Sequence, residues 1–116
     1  MKSNKIIREQ AVLLERKARK GDIAIWREAA KRLSSPKSTE TVVNVARLSR
    51  VGDGKAPLFV PGKVLGTGPV DKKLIVGAFS FSTSARSKIE SAGGEALEIP
   101  EFVERYPDGS GVTLVS

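Results

Sequence analysis

The chain contains neither cysteine nor histidine. Zinc sites of the usual Cys/His type are therefore excluded, and so are Cys-His and Ser-His nucleophile pairs. The side chain that most often serves as a general base near neutral pH is missing too. No disulfide framework can form, which suits a reducing compartment. Aromatics are scarce, with one Trp, one Tyr and four Phe among 116 residues. Binding of single strands mainly by base stacking would call for more of them. No apolar run reaches the roughly 18 residues that a bilayer span needs. Met1-Lys2-Ser3-Asn4-Lys5 lacks the apolar stretch and cleavage site of a secretory leader.

Acidic charge is also in short supply. Lys and Arg number 20 against 13 Asp and Glu, a net charge of +7. The excess is uneven. Residues 1–35 hold ten basic and four acidic side chains, residues 36–73 hold seven and three, and residues 74–116 hold three and six. A basic surplus confined to the first two thirds points to a face that binds a polyanion, nucleic acid above all. The length fits one domain of modest core, residues 1–116. Its expected parts are a basic helical segment, 1–38, and a mixed α/β unit, 39–116.

The periodicities support that division. Over residues 4–20, Ile6, Ile7, Ala11, Leu13, Leu14 and Ala18 fall on one side of a helix, with Lys5, Arg8, Arg16, Arg19 and Lys20 opposite. Gly21 reads as a C-terminal stop, and Asp22 as the N-cap of a second helix carrying Ile23, Trp26, Ala30 and Leu33 inward. Thr41 to Ala46 is rich in β-branched residues and reads as a strand, with Arg47 and Arg50 at its far end. Pro57 to Val60 forms a short strand. Lys73 to Phe81 is apolar on both faces, which predicts a strand covered on both sides. In it Phe79 and Phe81 alternate, so they share a face and read as core. A helix over 84–92 follows, stopped by Gly93-Gly94, then a short strand around Leu97 and Ile99. Pro100 opens a short helix with Phe102, Val103 and Tyr106 inward, and Val112 to Val115 close the chain as a strand. The fold class expected is α/β: two basic helices on a compact unit of short strands and helices.

FVPGKVLGTGPVDKK, residues 59–73, resembles a nucleotide loop at first sight. A P-loop needs a Ser or Thr hydroxyl after Gly-Lys to bind magnesium, but Gly62-Lys63 is followed by Val64. Five residues before Gly62 stands Pro57, which has no N–H and cannot take positive φ. The dinucleotide pattern G-x-G-x-x-G fails as well, with Asp71 in the third glycine position. The alternatives are a plain strand-turn-strand connection, or a turn slim enough for backbone amides, Lys63 and Thr67 to approach phosphate or ribose. Ser80, Ser82, Thr83, Ser84, Arg86 and Lys88 gather hydroxyls and cations at a helix N-terminus, where amides and dipole favour phosphate. Glu95, Glu98, Glu101 and Glu104 read as a solvent-facing acidic edge or a surface facing a basic neighbour.

These residues also carry a resemblance. KLIVGAFSFSTSARSKIESAGGEALEI, residues 73–99, is similar to the C-terminal signature of bacterial large-subunit ribosomal protein fifteen. VVNVARLSR, then VPGKVLGTG, then the Phe-Ser helix, following two basic helices, resemble the archaeal and eukaryotic relative, the eighteen-e class. The resemblance implies a layered or superhelical arrangement of short strands and helices, bound to large-subunit ribosomal RNA among neighbouring ribosomal proteins. It implies a monomer within the cytoplasmic ribosome, with no catalysis, cofactor, metal, membrane or small-molecule substrate. The RNA contacts it implies fall on the matching motifs: Pro61, Gly62, Lys63, Gly66, Thr67, Gly68, Ser82, Ser84, Arg86 and Lys88. Charge alone adds Lys5, Arg8, Lys37, Arg47 and Arg50. The alternative is a free RNA-binding or ribosome-assembly factor using the same surface.

Overall fold

The computed structural model describes residues 4–21, 23–35 and 41–115. Helix α1 spans Asn4–Gly21 and α2 spans Ala24–Ser34. Strand β1 (Val42–Asn44) runs straight into α3 (Val45–Val51). Then come β2 (Leu58–Leu65), β3 (Ile75–Phe81), α4 (Thr83–Ser91), β4 (Glu95–Glu98), α5 (Ile99–Arg105) and β5 (Thr113–Leu114).

Every pairing in the sheet is parallel. The order is β1-β2-β3-β4, and β5 also pairs with β2. β1 lies along Lys63–Leu65 and β5 along Leu58 and Phe59, so different stretches of β2 serve the two short strands. Parallel strands need crossovers, and helices that cross leave both sheet faces covered. One core holds Ile7, Ala11, Leu14 and Ala18 of α1, Trp26, Ala29, Ala30 and Leu33 of α2, and Ile99, Phe102 and Val103 of α5. The other holds Val45 and Leu48 of α3, Ala85 and Ile89 of α4, and Val60, Val64, Val76 and Ala78 of the sheet. The result is three layers, with the all-parallel sheet in the middle.

Trp26 anchors the first core. It is fully buried, edge-on to Phe59 at 5.4 Å and to Phe102 at 6.0 Å between ring centroids. Its indole N–H donates to the carbonyl of Pro107 at 3.0 Å, the partner a buried indole requires.

Four expectations are corrected. The β-branched run 41–46 is not one strand, because the chain turns helical at Val45. Val45, Leu48 and Ser49 are then buried at helical spacing, and that packing outweighs β propensity. Arg47 and Arg50 accordingly stand on a helix. Second, Pro61 and Gly62 lie inside β2 rather than in a turn. The register pairs Val60 with Ala78 but Lys63 with Ser80, so β2 carries one extra residue there. A bulge is where a strand tolerates proline. Third, Phe79 packs against the α1/α2/α5 core and Phe81 against the α3/α4 core, so strict alternation fails near the end of β3. Fourth, α2 is preceded in the cap position by Ile23, which makes no side-chain cap; Asp22 lies outside the described residues.

Candidate nucleic-acid interface

The carboxyl ends of the parallel strands bring three segments together: the start of α3 after β1, the loop Gly66–Leu74 after β2, and the start of α4 after β3. In open parallel sheets this end is where ligands bind.

The loop is wedged between the two helix starts. A Cβ on Gly66 would run into Ser84 Oγ and lie 2.8 Å from the Ala85 nitrogen. Gly68 has φ +92°, and a Cβ there would overlap the Ala46 Cβ. Both glycines are thus demanded by close approach within the protein, to α4 and α3 respectively. Gly62 follows the same rule, since its Cβ would sit 2.6 Å from the Thr41 carbonyl oxygen, the oxygen that accepts from Lys63 N–H at 3.0 Å.

All three carbonyls of Gly66-Thr67-Gly68 accept hydrogen bonds from the protein. Lys88 Nζ donates to Gly66 O at 2.6 Å and to Gly68 O at 2.8 Å. The Ala46 amide donates to Thr67 O at 3.3 Å. Thr67 itself is exposed. Farther along the loop, Ser49 Oγ donates to Asp71 Oδ1 at 2.5 Å and accepts from the Asp71 amide at 3.3 Å. Lys72 Nζ donates to Gly52 O at 3.1 Å.

At the start of α4, Ser82 is the N-cap and its Oγ accepts from the Ala85 amide at 3.1 Å. Ser84 Oγ lies 3.4 Å from it and is exposed. Arg86 turns inward: Nη1 donates to Ala96 O at 3.0 Å, and its guanidinium carbon sits 5.2 Å from the Phe81 ring centroid. That is cation–π range.

The expected site residues therefore divide. Lys63, Thr67, Ser84 and Lys88 are exposed on or beside the strand ends, and Arg47 and Arg50 are exposed on α3. Pro61 and Gly62 are buried in β2. Gly66, Gly68, Ser82 and Arg86 are half-buried and hold the rim together. Lys5 and Arg8 are exposed on α1, in the opposite layer; Lys37 lies outside the described residues. Ser49 and Asp71 were missed. They stand 22 residues apart in sequence, and no local motif links them.

Two carboxylates in the basic part of the chain are held by neighbouring donors. The Asp71 carboxyl lies below the usual range, first because Ser49 donates to it. Asp53 is lowered by the amides of Ala56 and Lys55, the first the stronger. On the acidic side, Arg105 pairs with Glu95 at 2.6 Å and holds that carboxyl below its usual range. Among the described residues no cluster of metal-ligating side chains forms, and no helix is long and apolar enough to cross a membrane.

By class this is a small basic α/β protein with a cationic rim at its strand ends. It belongs to the family that unites ribosomal proteins 50S-L15 and 50S-L18e with their 60S counterpart, whose profile matches residues 15–97. It is 42% identical to the large ribosomal subunit protein eL18 of Pyrobaculum aerophilum over 113 residues, covering 97% of this chain and 93% of that one. The eL18 of Halobacterium salinarum is 42% identical over 84% of each chain, and that of Archaeoglobus fulgidus 41% identical over 90% of this chain and 88% of its own. Family membership makes the chain a structural ribosomal protein rather than an enzyme, a component of the cytoplasmic ribosome.

Proposed function

We propose that this chain is a constituent of the large ribosomal subunit and holds ribosomal RNA by its phosphate backbone, through the rim at the carboxyl ends of the sheet. One observation carries the reading: the loop Gly66–Gly68 has all its carbonyls bonded inside the protein, while Thr67 and the cations Lys63, Arg47 and Arg50 are exposed. Carbonyl oxygens repel phosphate; with these drawn inward, what the rim offers is hydroxyl, amide and positive charge. Buried Pro61 and Gly62 contribute through the bulge that shapes β2, not by touch. Lys5 and Arg8 on α1 supply a second, separate cationic surface for another RNA segment.

In this reading residues 1–116 act as one domain, a monomer in the particle, with neighbouring ribosomal proteins around it. The exposed Glu101 and Glu104 of α5 suit a basic protein neighbour better than RNA. Shape and phosphate contacts dominate over base reading, as is usual for folded RNA.

The test is affinity of the purified chain for large-subunit rRNA fragments across a salt series. Each phosphate neutralised contributes about −0.7 to −0.9 to the slope of log affinity against log salt. Binding that steepens in this way, together with stoichiometric retention on large subunits after a high-salt wash, supports the reading. A chain that ignores rRNA in dilute salt overturns it; one that washes off mature subunits and tracks precursors is an assembly factor.

A further inference from the structure

We infer that Lys88 is a positioning residue for the RNA-facing loop, not itself a phosphate ligand. The inference rests on the rim being the RNA surface. An ammonium has three donors, and Lys88 directs one to Gly66 O and another to Gly68 O, at 2.6 and 2.8 Å. Those carbonyls flank Thr67, whose own carbonyl accepts from Ala46. The clip crosses more than twenty residues of chain, joining α4 to the loop after β2. It acts where the backbone has no freedom left: Gly66 is pressed against Ser84 and Ala85, and Gly68 against Ala46 at positive φ. Among the described residues none accepts from the amides of Thr67 or Gly68. The three inward carbonyls therefore leave an outward set of N–H groups and one hydroxyl, the concave donor arrangement that backbone uses for anions.

The charge of Lys88 is thus spent mainly on two peptide dipoles. Without it those dipoles lose their partner, and the carbonyls become free to turn toward the surface that meets phosphate. A lysine that binds phosphate directly behaves otherwise: its loss removes one counterion-releasing contact and leaves the loop as it was.

The experiment compares Lys88→Met with Lys63→Met, taking Lys63 as the directly contacting cation, in the full chain with an rRNA fragment. Lys63→Met should make the salt slope shallower by about 0.7 to 0.9. Lys88→Met should weaken binding about tenfold, the scale of one or two lost hydrogen bonds to a charged group, with a slope close to that of the parent. In the free protein it should also shift the amide resonances of residues 66–68 and speed their hydrogen exchange. Lys88→Arg, which keeps charge and paired donors, should restore both readouts. Should Lys88→Met fail to fold, the parent protein carries the test: the Lys88 ammonium resonance should stay in place when RNA is added, while the Thr67 and Gly68 amides move. A full-phosphate loss of slope with an unmoved loop, or an ammonium signal that shifts with RNA, overturns the latch alone. A parent protein that binds no rRNA overturns the latch and the RNA reading together.

Discussion

Ser49 Oγ and Asp71 Oδ1 lie 2.5 Å apart, tying helix α3 to the far side of the loop that follows β2. The bond has a consequence for pH. The Asp71 carboxyl is held below its ordinary value of 3.8, chiefly by Ser49, and Asp53 is lowered by the amides of Ala56 and Lys55. A depressed carboxylate contributes stability that is fully present above the unfolded value and is lost as pH falls through the folded one. Melting temperature should therefore hold steady from neutral pH down to about pH 4 and decline below it. Ser49→Ala should flatten part of that decline, because Asp71 then titrates near its ordinary value. An acid profile unchanged by Ser49→Ala would show that the bond contributes nothing in solution.

Two glycines should respond to alanine for different reasons. A Cβ on Gly77 would overlap the Phe102 ring, inside the core beneath α5. Neither the buried ring nor β3 can give way cheaply, so Gly77→Ala should cost about 1–3 kcal/mol, the scale of core overpacking. Gly93 has open space around it but φ +87°, at the left-handed stop of α4. Gly93→Ala should cost about 1 kcal/mol through backbone strain alone. Denaturant melts of the two variants should rank them in that order; the reverse order would mean that Phe102 has room to move.

Much of this was legible beforehand, and the exceptions have physical causes. The buried stripes of α1 and α2 followed from 3.6-residue periodicity, and the two-sided apolar run of β3 announced a strand covered on both faces. The cation-rich motifs around Lys63 and Lys88 could be singled out as well. What sequence could not give was the role of each residue within the rim. Gly66 and Gly68 look slim enough for RNA to approach, but their near neighbours are Ser84 and Ala46. Lys88 and Arg86 read as free cations, yet both spend donors on carbonyls 10 to 22 residues away. Contacts of that span depend on how α4 lies across the sheet, which no local pattern encodes. Pro61 misled because proline usually breaks a strand, and the bulge that accommodates it emerges only from pairing with β3.

The indole of Trp26 offers a check on the α1/α2/α5 layer. Its ring contacts with Phe59 and Phe102 and its bond to Pro107 O link α2 to β2, α5 and the chain beyond α5. Trp26→Phe keeps an aromatic ring but loses the N–H donor and part of the volume, and should cost about 1–3 kcal/mol. Trp26→Ala should cost about 3–5 kcal/mol. Tryptophan fluorescence of the parent protein should red-shift on unfolding in step with loss of helical signal. A transition in fluorescence well before the helical one would mean that this layer comes apart separately.

Arg86 and Lys63 should separate cleanly when each is changed to alanine. The Arg86 guanidinium is engaged by Ala96 O and lies over Phe81, bracing α4 against β4 and the end of β3. Lys63 is exposed on β2, and only its backbone is used, in pairing with β1 and β3. Arg86→Ala should therefore destabilise the fold by about 1–2 kcal/mol, the combined scale of one hydrogen bond and a cation–π contact. Its effect on the salt slope of RNA binding should be small. Lys63→Ala should leave the melting midpoint almost unmoved, as exposed substitutions usually do, and should make the salt slope shallower by about 0.7 to 0.9. Parallel melts and salt titrations of the two variants decide the matter. If Arg86→Ala instead leaves stability intact and removes a full phosphate from the slope, its guanidinium swings out to the RNA when bound, and the brace against β4 belongs to the free protein only.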